Sequence, residues 1–263
     1  MNKRTSILII VGFTLLVLLF FIFKTKKIRD LADVMSEGRL SVLVESGVHG
    51  FTRDSTKVYG FQYELIKKFT DSLGVELVLI NLENKIDCLS ELESGECDVL
   101  VSLRPIIVDS TSNIISLAPI LSTRLMLVQH KADSSKLIEN QYELNEDTIT
   151  VLEESPYINR LMYLSDEVAI NYTINMVSNN NLDELIRLVN EGKIKYTVCP
   201  EYLSESFKKR YQNVDFSMPL SMKYDFSWCV NKNSPELRER MNQFINDIVN
   251  TSDFKLLFNK YFD

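Results

Sequence analysis

The side chains best suited to nucleophilic or metal chemistry are few, and their spacing supports neither. The chain holds two histidines, His49 and His130, and four cysteines, Cys88, Cys97, Cys199 and Cys229. No two cysteines form a CxxC pair, so a zinc site of the usual ligand spacing is missing. Cys97, Cys199 and Cys229 lie in apolar, strand-like runs, where a thiol packs as a small hydrophobe. A Cys199–Cys229 bridge in an oxidising compartment is the alternative. GxSxG, HExxH and phosphate-loop motifs do not occur. Glu45 and Glu201 could do acid–base work in a cleft, but no motif requires it. The remaining candidates suit recognition. Arg104, at the exit of the apolar run DVLVSL, can clamp an anion or end a strand at the surface. Ser155, just before a helix, can cap it or help receive an anionic group. Glu201 starts another helix, where the dipole favours an acid.

These residues need elements to hold them, and hydrophobic patterning supplies an alternating series. Residues 40–45 read as a buried strand. Phe61, Leu65, Phe69 and Leu73 recur at four-residue spacing, an amphipathic helix closed by Gly74. A strand at 75–80, a short helix at 86–92 and a strand at 98–103 complete a β-α-β-α-β series, which demands a parallel sheet with right-handed crossovers. After a strand at 125–129 the pattern resumes. Strands at 148–152, 170–177 and 196–199 alternate with helices at 156–164 and 182–190. A strand at 226–230 follows, then two helices, the first opened by Pro235 at its N1 position and the second at 254–262. Two α/β lobes of this kind bind ligands at the carboxyl ends of their strands.

Charge and hydropathy divide the chain differently. Residues 1–30 contain six Lys or Arg and one Asp, leaving a net charge of −12 on the other 233 residues. So acidic a body should repel nucleic acid and favour cationic, zwitterionic or neutral ligands. Residues 7–23 are uncharged and apolar except for Gly12 and Thr14. They span roughly 25 Å as a helix, enough to anchor the chain when Lys3, Arg4, Lys24 and Lys26 snorkel. A cleaved signal peptide is the alternative, but no small-x-small site follows the run. The expected organisation is a short tail at 1–6, a transmembrane anchor at 7–23 and a stalk at 24–38. The Lys/Arg count on its own favours a cytoplasmic body by a small margin.

The segments GRLSVLVES (38–46), YGFQYEL (59–65), LESGECDVLVS (92–102), TRLMLVQH (123–130), FSWCVNK (226–232) and the terminal KYF, in this order and spacing, resemble type 2 periplasmic solute-binding proteins. The resemblance is to the family 3 domain of polar amino acid transporters, which also forms the N-terminal half of membrane-bound lytic transglycosylase F. It implies a two-lobed type 2 periplasmic-binding-protein-like fold behind the transmembrane helix. Lobe 1 would comprise 39–125 and 224–263, and lobe 2 would comprise 126–223, with TRLMLVQH and FSWCVNK as the crossing strands. It also implies an extracytoplasmic body, overruling the charge count. The function implied is capture of a small polar ligand by lobe closure, the ligand being amino acid-like, a peptide or a cell-wall fragment. The partner would be a transporter permease or a cell-wall enzyme, and no cofactor is implied.

Within that family an Arg clamps the ligand carboxylate, but the matching position here is Ser110. Arg104 becomes the relocated candidate. Pro200 or Glu201, depending on a one-residue register, falls where the family has the Asp that holds the ligand ammonium, with Glu201 the candidate to substitute; Ser155 takes the place of the hydroxyl at a helix N-terminus, and Tyr59 that of an aromatic against the ligand. Ser102, ending the third strand, and His49, in the loop after the first, face the same cleft. Two other readings follow from the displaced charge partners. The lobes could form a ligand-free interaction module of the envelope, or a dehydratase of the kind this fold also hosts. The transglycosylase's catalytic domain has no counterpart before Asp263, so that activity is not expected.

Overall fold

The computed structural model describes residues 27–82, 88–103, 111–131, 137–178 and 181–262. The expected tail and anchor, together with Arg104 and Ser110, lie outside these residues. Among the described residues no helix is long and apolar enough to cross a membrane.

Two five-stranded sheets carry the chain. In the first, strands β1 (Arg39–Val44), β4 (Glu76–Asn81) and β5 (Val99–Val101) run parallel, with Val42 opposite both Leu79 and Val99. Helix α2 (Phe61–Leu73) makes the crossover from β1 to β4, and α3 (Cys88–Glu93) lies on the way to β5. A small hairpin of β2 (Thr52–Arg53) and β3 (Val58–Tyr59) precedes α2. The apolar face of α2, Phe61, Leu65, Ile66 and Phe69, is fully buried on one side of this sheet, as the four-residue spacing requires.

The sheet is completed by two antiparallel strands, β6 (Ile114–Thr123) and β12 (Tyr224–Asn231), in the order β4-β1-β5-β12-β6. The sequence gives no sign of β6, and the reason is physical. Its burial repeats every third residue instead of every second, and it contains Pro119. An edge strand tolerates a proline. Here the pairing with β12 shifts register on both sides of the Pro119–Ser227 pair, which bends the strand across the lobe.

Only Arg124 separates β6 from β7 (Leu125–His130), the first strand of the second sheet. That sheet runs β11-β7-β10-β8-β9, comprising β8 (Thr148–Leu152), β9 (Thr173–Val177), β10 (Tyr196–Pro200) and β11 (Val214–Asp215). Helices α4 (Ile158–Val168), α5 (Leu182–Asn190) and α6 (Glu201–Arg210) follow β8, β9 and β10. The chain returns through 219–223, tied to the outgoing strand by Leu220 N–H on the Leu125 carbonyl at 2.7 Å and Leu125 N–H on Ser221 Oγ at 2.9 Å. Strand β12 therefore lies wholly in the first sheet, and the crossing is made just before it. Helices α7 (Pro235–Ile248) and α8 (Ser252–Phe262) then pack on the first lobe.

Residues 24–38 were expected to form a stalk, yet from Arg29 onward this stretch is docked on the first lobe. Residues 31–37 form helix α1 (Leu31–Glu37), whose Val34 is fully buried. Arg29 donates to both carboxylate oxygens of Asp98, through Nε at 2.9 Å and through Nη2, and its Nη1 reaches Glu37 at 2.7 Å. Asp98 is only 3% exposed and also accepts the Ser41 N–H at 2.7 Å. Asp30 caps two helices at once. It accepts Leu31 N–H at the start of α1, and Leu237 and Glu236 N–H at the start of α7, where Ser234 makes no side-chain cap of its own.

The cysteines are all free, and Cys97, Cys199 and Cys229 are buried. Cys199 stands in β10 and Cys229 in β12, strands of different sheets, so the alternative of a bridge between them is not realised. Burial pushes the Cys229 thiol up to about 11 and the Cys97 thiol to about 12, so both stay protonated.

Candidate functional site

The carboxyl ends of β1 and β5 open toward the second lobe, and the loop after β1 is built to hold its shape there. Three N–H groups of α2's first turn, from Phe61, Gln62 and Tyr63, donate to the carbonyls of Val48, His49 and Gly50 at 3.0 to 3.1 Å. Backbone passes so close at this point that a Cβ on Gly60, whose φ is 145°, would lie 2.3 Å from the Gly50 carbonyl oxygen. Only glycine fits. The motif GFQYEL is therefore a loop clamp, and KYF completes it. Tyr261 Oη accepts the Gly60 N–H at 3.0 Å and donates to Glu64 at 2.5 Å, while Lys260 pairs with the same carboxylate at 2.6 Å.

This clamp gathers two of the sequence-predicted residues around Glu45. Glu45 Oε1 accepts the Leu103 N–H at 3.1 Å and faces the Ser102 hydroxyl at 3.4 Å. His49 lies within the electrostatic reach of Glu45. Its ring stacks on Phe262, with centroids 4.7 Å apart. Burial lowers the His49 imidazole below its ordinary value, against the opposing pull of Glu45 and of a bond to the Tyr261 backbone.

The second lobe contributes the start of α6. The ring of Tyr202 meets Phe262 edge-on at 5.1 Å and Phe226 at 6.0 Å, bridging from α6 to the first lobe. Burial raises the Tyr202 hydroxyl's pKa, with a smaller contribution from Glu45. Beside it, Glu201 does not stand free. Arg124 Nε and Nη2 both donate to Glu201 Oε1, at 2.9 and 2.7 Å, and Glu201 N–H donates to the Arg124 carbonyl at 2.9 Å. The acid expected to meet a ligand cation is thus paired with an arginine of the chain itself.

The other predicted residues are placed differently. Ser155 Oγ accepts the Tyr157 N–H at 3.3 Å, closing a turn ahead of α4, whose cap position is Tyr157. Tyr59 sits in the β2–β3 hairpin, with Lys57 Nζ 5.2 Å above its ring. Arg104 is outside the described residues. Sequence reasoning missed Arg124, Tyr202, Tyr157 and Tyr224. Arg124 left a signal, being the only base between Pro105 and His130, just ahead of the apolar run of β7. The tyrosines left none that separates them from packing residues. Among the described residues no cluster of three or more His, Cys, Asp or Glu side chains could hold a metal ion.

Residues 40–263 match the model of the bacterial extracellular solute-binding proteins, family 3. The chain belongs to that family. It is 24% identical over 262 residues to the membrane-bound lytic murein transglycosylase F of Desulfosudis oleivorans, covering all of this chain and 57% of that protein. Among solved structures, a Bacillus subtilis protein aligns over 89% of this family 3 chain and 93% of its own, at a TM-score of 0.73 and 15% identity. An amino acid ABC transporter substrate-binding protein of Streptococcus pneumoniae, bound to L-arginine, aligns over 88% and 98%, at 0.62 and 17%. These likenesses establish the two-lobed α/β fold of type 2 periplasmic binding proteins. No match to a catalytic domain accompanies the solute-binding domain in this chain.

Proposed function

We propose that this family 3 protein is held at the membrane by residues 7–23, with its body outside the cytoplasm, and captures a small polar ligand by closing its lobes. The observation that supports this reading is that polar groups of both lobes flank the junction where Tyr202 and His49 both touch Phe262. Glu45, Ser102 and His49 come from the carboxyl-end loops of the first sheet, and Glu201 from the matching end of the second, with Arg124 at the crossover between them. Ligands of open α/β sheets bind at such a junction. Because Arg124 already occupies Glu201, and Glu45 already accepts from the Leu103 N–H and the Ser102 hydroxyl, a free α-amino acid finds both acids of the junction engaged. A peptide or a cell-wall fragment, held through several neutral hydrogen bonds, suits the site better. The partner would then be a transporter permease or a cell-wall enzyme, and the domain a shuttle or a sensor.

Thermal unfolding against a library of amino acids, short peptides and muropeptides tests this. A ligand at a hundredfold excess over its Kd adds about 2.7 kcal/mol to stability, a shift of several degrees for a chain of this size. A shift with one class that is lost in Glu201→Gln supports capture and identifies the class. No shift across the library overturns it.

A second reading, a ligand-free interaction module, is favoured by one observation. Tyr202 already spans the junction to Phe226 and Phe262, where a ligand would otherwise make the bridge between lobes.

A further inference from the structure

A separate pocket lies on the flank of the crossover. Helix α4 and the returning segment 221–225 enclose a space of 600 Å³, within the range of small-molecule sites. None of the Glu45 group lines it, nor does Glu201 or Tyr202. Half of its lining residues are apolar or aromatic: Leu125, Pro156, Tyr157, Tyr163, Met222 and Tyr224. Two of these are large apolar side chains left in water, Met222 at 88% exposure and Tyr163 at 62%.

Two polar atoms of this wall are not satisfied by the protein. The Tyr224 hydroxyl is buried and lacks a hydrogen-bond partner of good geometry, although Tyr157 is near enough to affect its ionisation. Arg160 uses Nη1 on Glu167, at 2.9 and 3.0 Å, but its Nε is buried with no partner. A buried polar atom left unpaired is unusual and costly. Here two occur on lining residues of one pocket. An arginine with its Nε side open presents the edge that takes a carboxylate in forked geometry. Lys223, also on the wall, adds a second positive charge, and the two acids of the lining are engaged, Glu167 by Arg160 and Asp225 by the Ser122 hydroxyl.

We propose that this pocket is a second ligand site, distinct from the lobe junction, that takes a small aromatic carboxylic acid. The ring lies among Tyr157, Tyr163 and Met222. The carboxylate is received by Arg160, and a further oxygen of the ligand accepts from the Tyr224 hydroxyl. Walls of this kind, flat and apolar with a few fixed donors, are what a planar acid requires.

Titration calorimetry of the full chain with 4-hydroxybenzoate and indole-3-carboxylate tests the assignment, with 4-hydroxybenzamide as the uncharged control. Saturable binding of at least one acid is expected, with the amide weaker by about tenfold or more, the worth of a charge-assisted hydrogen bond. Arg160→Gln should weaken the acid by a similar factor, and Tyr224→Phe by less. Met222→Glu, at an exposed position that the fold does not need, should weaken it by repulsion. Glu201→Gln should leave it unchanged. The assignment is overturned if neither acid binds up to its solubility limit. It is equally overturned if Arg160→Gln and Met222→Glu both bind as the natural chain does, or if Glu201→Gln alone abolishes binding, which would put the acid at the lobe junction.

Discussion

Arg124 and Glu201 lock the lobe crossover to the first turn of α6: two guanidinium nitrogens share one carboxylate oxygen, and the Glu201 N–H returns to the Arg124 carbonyl. Both side chains are about one-third exposed, at 34% and 31%, so solvent screens the pair and its net contribution to stability is about 1 kcal/mol or less. Its larger effect is on selectivity. Arg124→Ala releases an acid at the lobe junction, and cationic ligands such as arginine amide should then bind several-fold more tightly than to the natural chain. Calorimetry with the amide checks this, and an unchanged affinity would show that Glu201 does not face the ligand.

Tyr202 ties the same helix to the first lobe through aromatic edges alone. Tyr202→Ala should cost about 2 kcal/mol, the scale of burying one large apolar side chain. It should also enlarge the radius of gyration, because the lobes lose their bridge. Small-angle scattering of the two proteins measures the second effect. An unchanged radius alongside a lowered melting point would mean that Tyr202 packs locally without holding the lobes together.

Residues ahead of the first sheet are structural. Removing Arg29 strands the Asp98 carboxylate, which is 3% exposed. Breaking a buried pair in this way costs about 3–5 kcal/mol. A chain beginning at Leu31 also loses Asp30, the cap of both α1 and α7. It should therefore unfold at a markedly lower denaturant concentration than one beginning at Lys27, and Arg29→Ala alone should reproduce most of the loss.

How far the sequence foretold these features depends on whether neighbouring residues encode them. The α2 stripe was plain because its burial follows the helix period, and β1 because it is a short apolar run buried in succession. Strand β6 was hidden by Pro119 and a three-residue burial rhythm, and α1 by its seven-residue length. The site divides along the same line. His49 comes near Glu45 through local loop geometry, which motif order could anticipate, whereas Ser102 reaches Glu45 only because β5 pairs with β1. The pairing of Arg124 with Glu201, and of Arg29 with Asp98, joins residues about seventy or more apart in the chain. Such pairs are written in the topology and not in any window of sequence.

The thiols offer a check on burial. Cys97, Cys199 and Cys229 are buried and held protonated, whereas Cys88 is half-buried on α3. Thiolate is the reactive species. An aromatic disulfide reagent at neutral pH should label one thiol quickly in the native chain and all four after denaturation. Rapid labelling of two or more would contradict the placement of β10 or β12.

His49 should give the fold a pH dependence of definite sign. Burial depresses its folded value below the ordinary 6.5, so the unfolded chain binds the proton more readily. Stability is then complete above the unfolded value and falls as pH drops below it toward the folded value. Glu45 and the Tyr261 backbone, which face the ring, work against the depression and keep the loss moderate. Glu64, bound by Lys260 and Tyr261, also loses stability on acidification, but its window begins lower, at the ordinary carboxylate value of 4.5 and below. Melting points between about pH 7 and pH 5 therefore isolate the histidine. The natural chain should lose stability across that range. His49→Phe, which keeps a ring against Phe262, should flatten the slope. An equal slope in both proteins would assign the effect to another group.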